Sequence, residues 1–262
     1  MIDSPQIESH LQEIYTVLAS NVTINEKLNA LIYFESIIDN SNVSNRLINS
    51  AFVQLLVKLL KSVKSPGVKQ RLCSVLGLLV RHSTVIDNEL AESEICNTLV
   101  EVMEERSEKV RRRAIAALGE YMFYAATQLD EDNFDPVWDL GQGSIDLLVK
   151  CLKIGEEDDI VRFYACKTLE NICAQSTRAG QKFATTESLN HLIAIYVAHQ
   201  NQLMRTIAID SHTTTFLDAI RTSAAVALSH ICRLKPQLFS VVFERLTPQL
   251  FCSTLTDGSP RV

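Results

Sequence analysis

Glycine and proline are scarce, eight and six in 262 residues, and long apolar runs are missing. So few turn formers argue against a many-stranded sandwich and for helices joined by short links. No stretch approaches eighteen apolar residues without a charge, so no membrane span and no membrane partner are expected. The opening residues, MIDSPQIESH, lack the basic start and apolar middle of a signal peptide. The expectation is a soluble, cytoplasmic protein.

Positive charge is also short. Lys and Arg number 25 against 31 Asp and Glu, a net charge of −6 that would repel a phosphate backbone. No nucleic-acid partner is expected. The seven cysteines are odd in number and form no CxxC, which marks them as small buried apolar side chains in a reducing compartment. The six histidines never fall at i, i+4 spacing, so no metal is expected. Gly141-Gln142-Gly143 supplies two glycines of a dinucleotide fingerprint without the third or a preceding strand, so no cofactor is expected either. A Gly-rich GxGxxG, an HRD-type loop and a DFG are all absent, and nothing else in the chain reads as catalytic.

What the chain does contain is apolar residues, 47% against 21% charged, arranged in a repeat. EKLNALIYFESI (26–37), VKQRLCSVLGLL (68–79), VRRRAIAALGEY (110–121), VRFYACKTLENI (161–172) and IRTSAAVALSHI (220–231) align without gaps. Apolar spacing of four, four and three marks one face of an α-helix. Mid-segment Ala or Leu (Ala30, Leu72, Ala114, Ala165, Ala224) is mostly small, which lets a neighbouring helix approach. A Lys or Arg recurs at the second position (Lys27, Lys69, Arg111, Arg162, Arg221), as expected of a ladder pairing with acidic or carbonyl groups of the adjoining repeat.

The segment starts are 42, 42, 51 and 59 residues apart, and the next would fall at Val262. The sequence therefore reads as one array over 1–262, cut where another repeat begins. A second apolar helix precedes each motif, at 10–20, 52–62, 95–105, 144–154 and 188–198, with another at 246–256. The expected unit is a helix pair, within the roughly 40–47 residues of armadillo and HEAT arrays. One pair cannot bury its own apolar face, so stacked neighbours form the core. The fold class expected is all-α, a right-handed superhelical solenoid of armadillo/HEAT-type helix repeats. The longer spacings locate insertions at 129–143, with the only Trp, and 199–218. Trp138 is expected to pack its own loop, and Asp158 or Asp159 of GEEDD (155–159) to cap the following helix.

RLCSVLGLLVRHST (71–84), LGEYMFYAATQ (118–128) and LVKCLKIGEEDDIVRFYACKTLENIC (148–173) resemble the C-terminal armadillo/HEAT region of the Fused-type kinases, in particular their unc-51-like pseudokinase branch. The resemblance implies a non-catalytic scaffold attached to a kinase-like domain. It also implies microtubule, cilium or cytokinesis processes, and with them a cytoskeletal or ciliary location.

Armadillo arrays bind extended peptides along a groove lined by the last helix of each repeat, which the motif segments resemble. Its open face would carry Arg112, Arg113, Ala116 and Glu120 in the third repeat. In the fourth it would carry Phe163, Tyr164, Lys167 and Asn171, and in the fifth Thr222, Val226 and His230. Asn171 stands where armadillo proteins hold a ligand backbone, but Glu120 and His230 replace it in the neighbours, so a regular Asn ladder is not expected. The expected partner is a protein, as peptide or helix. The alternative is a tubulin-binding HEAT array of the TOG type, using Trp138, Lys64 and Lys69 along a loop edge.

Overall fold

A computed structural model describes residues 4–39, 41–129, 135–205 and 211–246. Fourteen α-helices and no strand occur among the described residues. The chain forms two compact units, Met1–Tyr124 and Ala125–Val262.

The first unit holds α1 (Ser4–Ala19), α2 (Ile24–Glu35), α3 (Ser41–Ile48), α4 (Ala51–Ser62), α5 (Pro66–His82), α6 (Asn88–Glu92), α7 (Ile95–Val102) and most of α8 (Glu108–Thr127). The second holds α9 (Gln142–Leu152), α10 (Asp159–Gln175), α11 (Thr177–Phe183), α12 (Thr186–Arg205), α13 (Ser211–Leu234) and α14 (Phe239–Arg245). Short 3₁₀ turns cover Pro136–Trp138 and Pro236–Leu238.

All five motif segments lie on helices, α2, α5, α8, α10 and α13. The repeat, however, is not a helix pair. A short helix precedes the two longer ones: α3 before α4 and α5, α6 before α7 and α8, α11 before α12 and α13. Before α9 and α10 the same place is taken by the 3₁₀ turn at Pro136–Trp138. The fold is an all-α solenoid-type repeat with the three helices of an armadillo unit. The short helices span eight, five and seven residues, too few turns for a 3.6-residue period to stand out from the sequence.

Local chemistry sets the boundaries. Thr23 opens α2 with a capping box: its hydroxyl accepts from the Glu26 N–H at 3.3 Å, and the Glu26 carboxylate accepts from the Thr23 N–H at 2.8 Å. Ser65 caps α5 just before Pro66, whose missing N–H costs nothing in the first turn. Ser176 serves two helices, its N–H ending α10 on the Ile172 carbonyl and its hydroxyl accepting from the Ala179 N–H to start α11. Asn45 on α3 accepts from the N–H groups of Thr84 and Val85, and Asn49, just past its end, from that of Asp87, which fixes the link between α5 and α6.

The core runs along the motif helices. Leu31 and Phe34, Val68, Leu72 and Leu76, and Val110, Ala114 and Leu118 are buried in the first unit. Val161, Ala165 and Leu169, with Ile220, Ala224 and Leu228, are buried in the second. Between 199 and 218, α12 continues to Arg205 and α13 begins at Ser211, so the added residues lengthen two helices. The segment 246–256, past Leu246, and Val262 lie outside the described residues.

Candidate protein-binding faces

Each motif helix presents two unlike faces, because residues a turn apart share a side while those between them point away. The packed side is sealed in the core. At the start of each motif segment the recurrent cation is tied down. Lys27 donates to the Leu18 carbonyl at 3.2 Å, and Lys69 pairs with Glu105 of the following repeat. Arg111 donates to the Glu105 and Arg106 carbonyls at 2.9 and 3.2 Å. Arg162 donates to the Glu157 carbonyl at 2.7 Å and pairs with Asp159, and Arg221 meets Asp218 at 2.8 Å. The ladder is structural: Lys69 reaches the adjoining repeat, and the bonds above tie Lys27, Arg111, Arg162 and Arg221 to groups that precede them in the chain.

In the second unit α10 and α13 pack side by side. Phe163 and Tyr164 meet edge to face with ring centroids 5.5 Å apart, and Phe163 also meets Phe216 of α13 at 5.7 Å. Further along α10, Lys167 is bonded to Glu170 at 2.6 Å, and Asn171 is half-buried. Across from them on α13, Thr222, Val226 and His230 are half-buried. Burial and the charge of Arg233 hold the His230 imidazole below its usual range, with Glu170 pulling the other way. The geometry thus joins Phe163, Tyr164 and Phe216 at one end of the helix pair and Lys167, Glu170 and His230 at the other. Phe216 was not among the sequence candidates, because it precedes the aligned segment on the added turns of α13.

In the first unit Arg112 pairs with Glu108 one turn away at 3.3 Å, while Arg113 is exposed and makes no ion pair among the described residues. Glu120 lies 3.7 Å from Arg81 of α5. Burial pushes its carboxyl above the usual carboxylate range against the pull of Arg81 and His82. The α5 helix continues the same face toward α2, where Arg71 pairs with Glu35.

The remaining sequence candidates resolve into structure. Trp138 is 2% exposed, at the end of the 3₁₀ turn Pro136–Trp138. Asp158 caps α10, accepting from the N–H groups of Ile160 and Val161 at 2.8 and 3.1 Å, and Asp159 goes instead to Arg162. Gly141 and Gln142 start α9, with no strand before them among the described residues. Cys73, Cys166 and Cys173 are buried, and desolvation pushes each thiol up to about 12. No group of three or more metal-ligating side chains occurs among the described residues. No described helix is long and apolar enough to cross a membrane.

The chain is 32% identical over 98% of its length to Serine/threonine-protein kinase RUNKEL of Arabidopsis thaliana. It is 28% identical over 93% of its length to Serine/threonine-protein kinase ULK4 of Mus musculus. It is related to the repeat region of the Fused-type kinases. The matched stretch is 18% of the length of either relative and lies outside their kinase domains. No family model matches it. Among solved structures, one engineered protein covers 90% of the chain and 88% of its own length with a TM-score of 0.61 at 17% identity. A second covers 84% and 98% with a TM-score of 0.50 at 18% identity. At these identities the likeness is one of fold.

Proposed function

We propose that this Fused-type region is a docking scaffold whose motif helices hold a protein segment, as peptide or helix, for a kinase or pseudokinase. The setting is microtubule, cilium or cytokinesis processes, in the cytoplasm and on the cytoskeleton or cilium. The observation that carries the reading is the two-sidedness of α10 and α13 in the second unit. One side is closed in the core, while the other holds half-exposed aromatics, an amide and both signs of charge. Such a mixture suits recognition by combined main-chain and side-chain contacts.

The tubulin-binding alternative keeps the exposed Lys64 but loses its other two residues. It needs an accessible tryptophan and free basic residues along a turn edge, whereas Trp138 is buried and Lys69 is bonded to Glu105. The test is panning of a random peptide library against the immobilised chain, with tubulin co-sedimentation alongside. Selected peptides are expected to bind wild type and to lose affinity on Phe163→Ala or Arg113→Glu without loss of helicity. Sedimentation of the chain with microtubules, insensitive to both variants, would reverse the assignment.

A further inference from the structure

The first unit carries a surface of its own. Its three motif helices are neighbours in sequence order: α2 packs on α5, and α5 approaches α8 closely at Gly77 and Ala117. At the α2 end of their outer side the surface is aliphatic. Leu28 leans on the start of α5 beside Gly67, and Ile32, one turn on, is 46% exposed. At the α8 end the surface is cationic. Arg81 has a side chain 64% exposed with only a long 3.7 Å contact to Glu120, Arg112 leans back on Glu108, and Arg113 is exposed. With Arg71 held by Glu35, four arginines on this side stand against Glu35, Glu108 and Glu120, on a chain whose net charge is −6. Local charge of the opposite sign to the whole is what steers a partner to one place.

We infer that the α2–α5–α8 side takes an extended acidic segment that also carries a large aliphatic residue. The aliphatic side chain packs on Ile32 and Leu28, and carboxylates meet Arg81 and Arg113. This rests on the docking reading given above and adds the chemistry and direction of the occupant. The separation follows from packing. Helix axes at contact are about 8–10 Å apart, so two steps span about 20 Å. An extended chain rises about 3.3 Å per residue, which places the aliphatic residue about six residues from the carboxylate that meets Arg113 on α8, with Arg81 of α5 one helix step nearer.

Three fluorescein-labelled peptides test this by anisotropy on the whole chain at low salt. One has a leucine, a six-residue Gly/Ser spacer and three glutamates; a second replaces the glutamates by lysines; a third replaces the leucine by serine. The first should bind, the second about tenfold or more weaker, and the third several-fold weaker. Arg113→Glu, Arg81→Glu and Ile32→Asp should each weaken the first peptide at least several-fold with an unchanged circular dichroism spectrum, and Arg113→Glu should strengthen the second. Equal binding of the glutamate and lysine peptides, no binding by any of the three, or indifference to all three substitutions overturns the inference. Should the lysine or serine peptide bind best and respond to the same substitutions, docking on this side stands while its acidic-aliphatic chemistry fails.

Discussion

Gly77 of α5 and Ala117 of α8 stand so close that a β-carbon on residue 77 would lie 3.0 Å from the Ala117 Cα and 3.1 Å from its Cβ. The obstruction is helix backbone, which cannot swing aside as a side-chain tip can. Gly77→Ala gains about 1 kcal/mol of helix propensity but forces the helices apart, at about 1–3 kcal/mol. The net expectation is a loss of about 1 kcal/mol for Gly77→Ala and a larger one for Gly77→Val. Urea denaturation measures both. A stabilised Gly77→Ala would show that the two helices do not touch there.

The cation ladder makes a second prediction. The Arg162 side chain is 5% exposed and satisfies the Glu157 carbonyl and Asp159. Arg162→Met removes a buried donor from the Glu157 carbonyl, while Asp159, 47% exposed, turns to water; the change should destabilise by about 1–2 kcal/mol. Lys153→Ala, which removes an exposed pair with Glu156 in the adjacent turn, should leave the midpoint unchanged because water competes for the same groups. Thermal melts of the two variants, compared with wild type, check the contrast.

Thiol chemistry separates the cysteines. Cys73, Cys166 and Cys173 are buried with thiols raised to about 12, and Cys232 is buried and also raised. Cys151 is buried, whereas Cys96 is half-exposed. In a Cys252→Ser background, a disulfide reagent at neutral pH should modify one thiol rapidly, and Cys96→Ser should abolish that phase. Two or more fast thiols in native protein would contradict the packing described.

Glu120 gives the pH dependence. Burial raises its carboxyl in the folded chain, so the fold favours the protonated form. Stability contributed there is present at low pH, and is lost as pH climbs from the ordinary carboxylate value through the raised one. Glu120→Gln should therefore melt higher than wild type at pH 7, by on the order of 1 °C given its partial exposure, and equal it at pH 3. A lower melting point at pH 7 would mean that the contact with Arg81 outweighs the cost of burial.

The long amphipathic elements were legible because α5, α8, α10 and α13 carry their apolar residues over several turns. The cation ladder was legible for the same reason, since it recurs at one register position. The short helices α3, α6 and α11 were not, being of eight residues or fewer. Their role appears only in three dimensions, where Asn45 and Asn49 hold the link after α5. Phe216 was missed because it meets Phe163 across two helices, from turns that lie outside the aligned register. The aliphatic end of the first unit was missed likewise: Ile32 falls at a face position of α2, but nothing local distinguishes an exposed isoleucine from a buried one.

The most direct test of the docking account is photo-crosslinking. A peptide selected on the chain, carrying a benzophenone side chain, is irradiated in complex and its attachment points are mapped by mass spectrometry. The account predicts attachment on the outer sides of motif helices, at or beside Ile32, Arg113, Phe163, Lys167 or His230. Attachment confined to α4, α7, α9 or the turns beside Trp138 would contradict it.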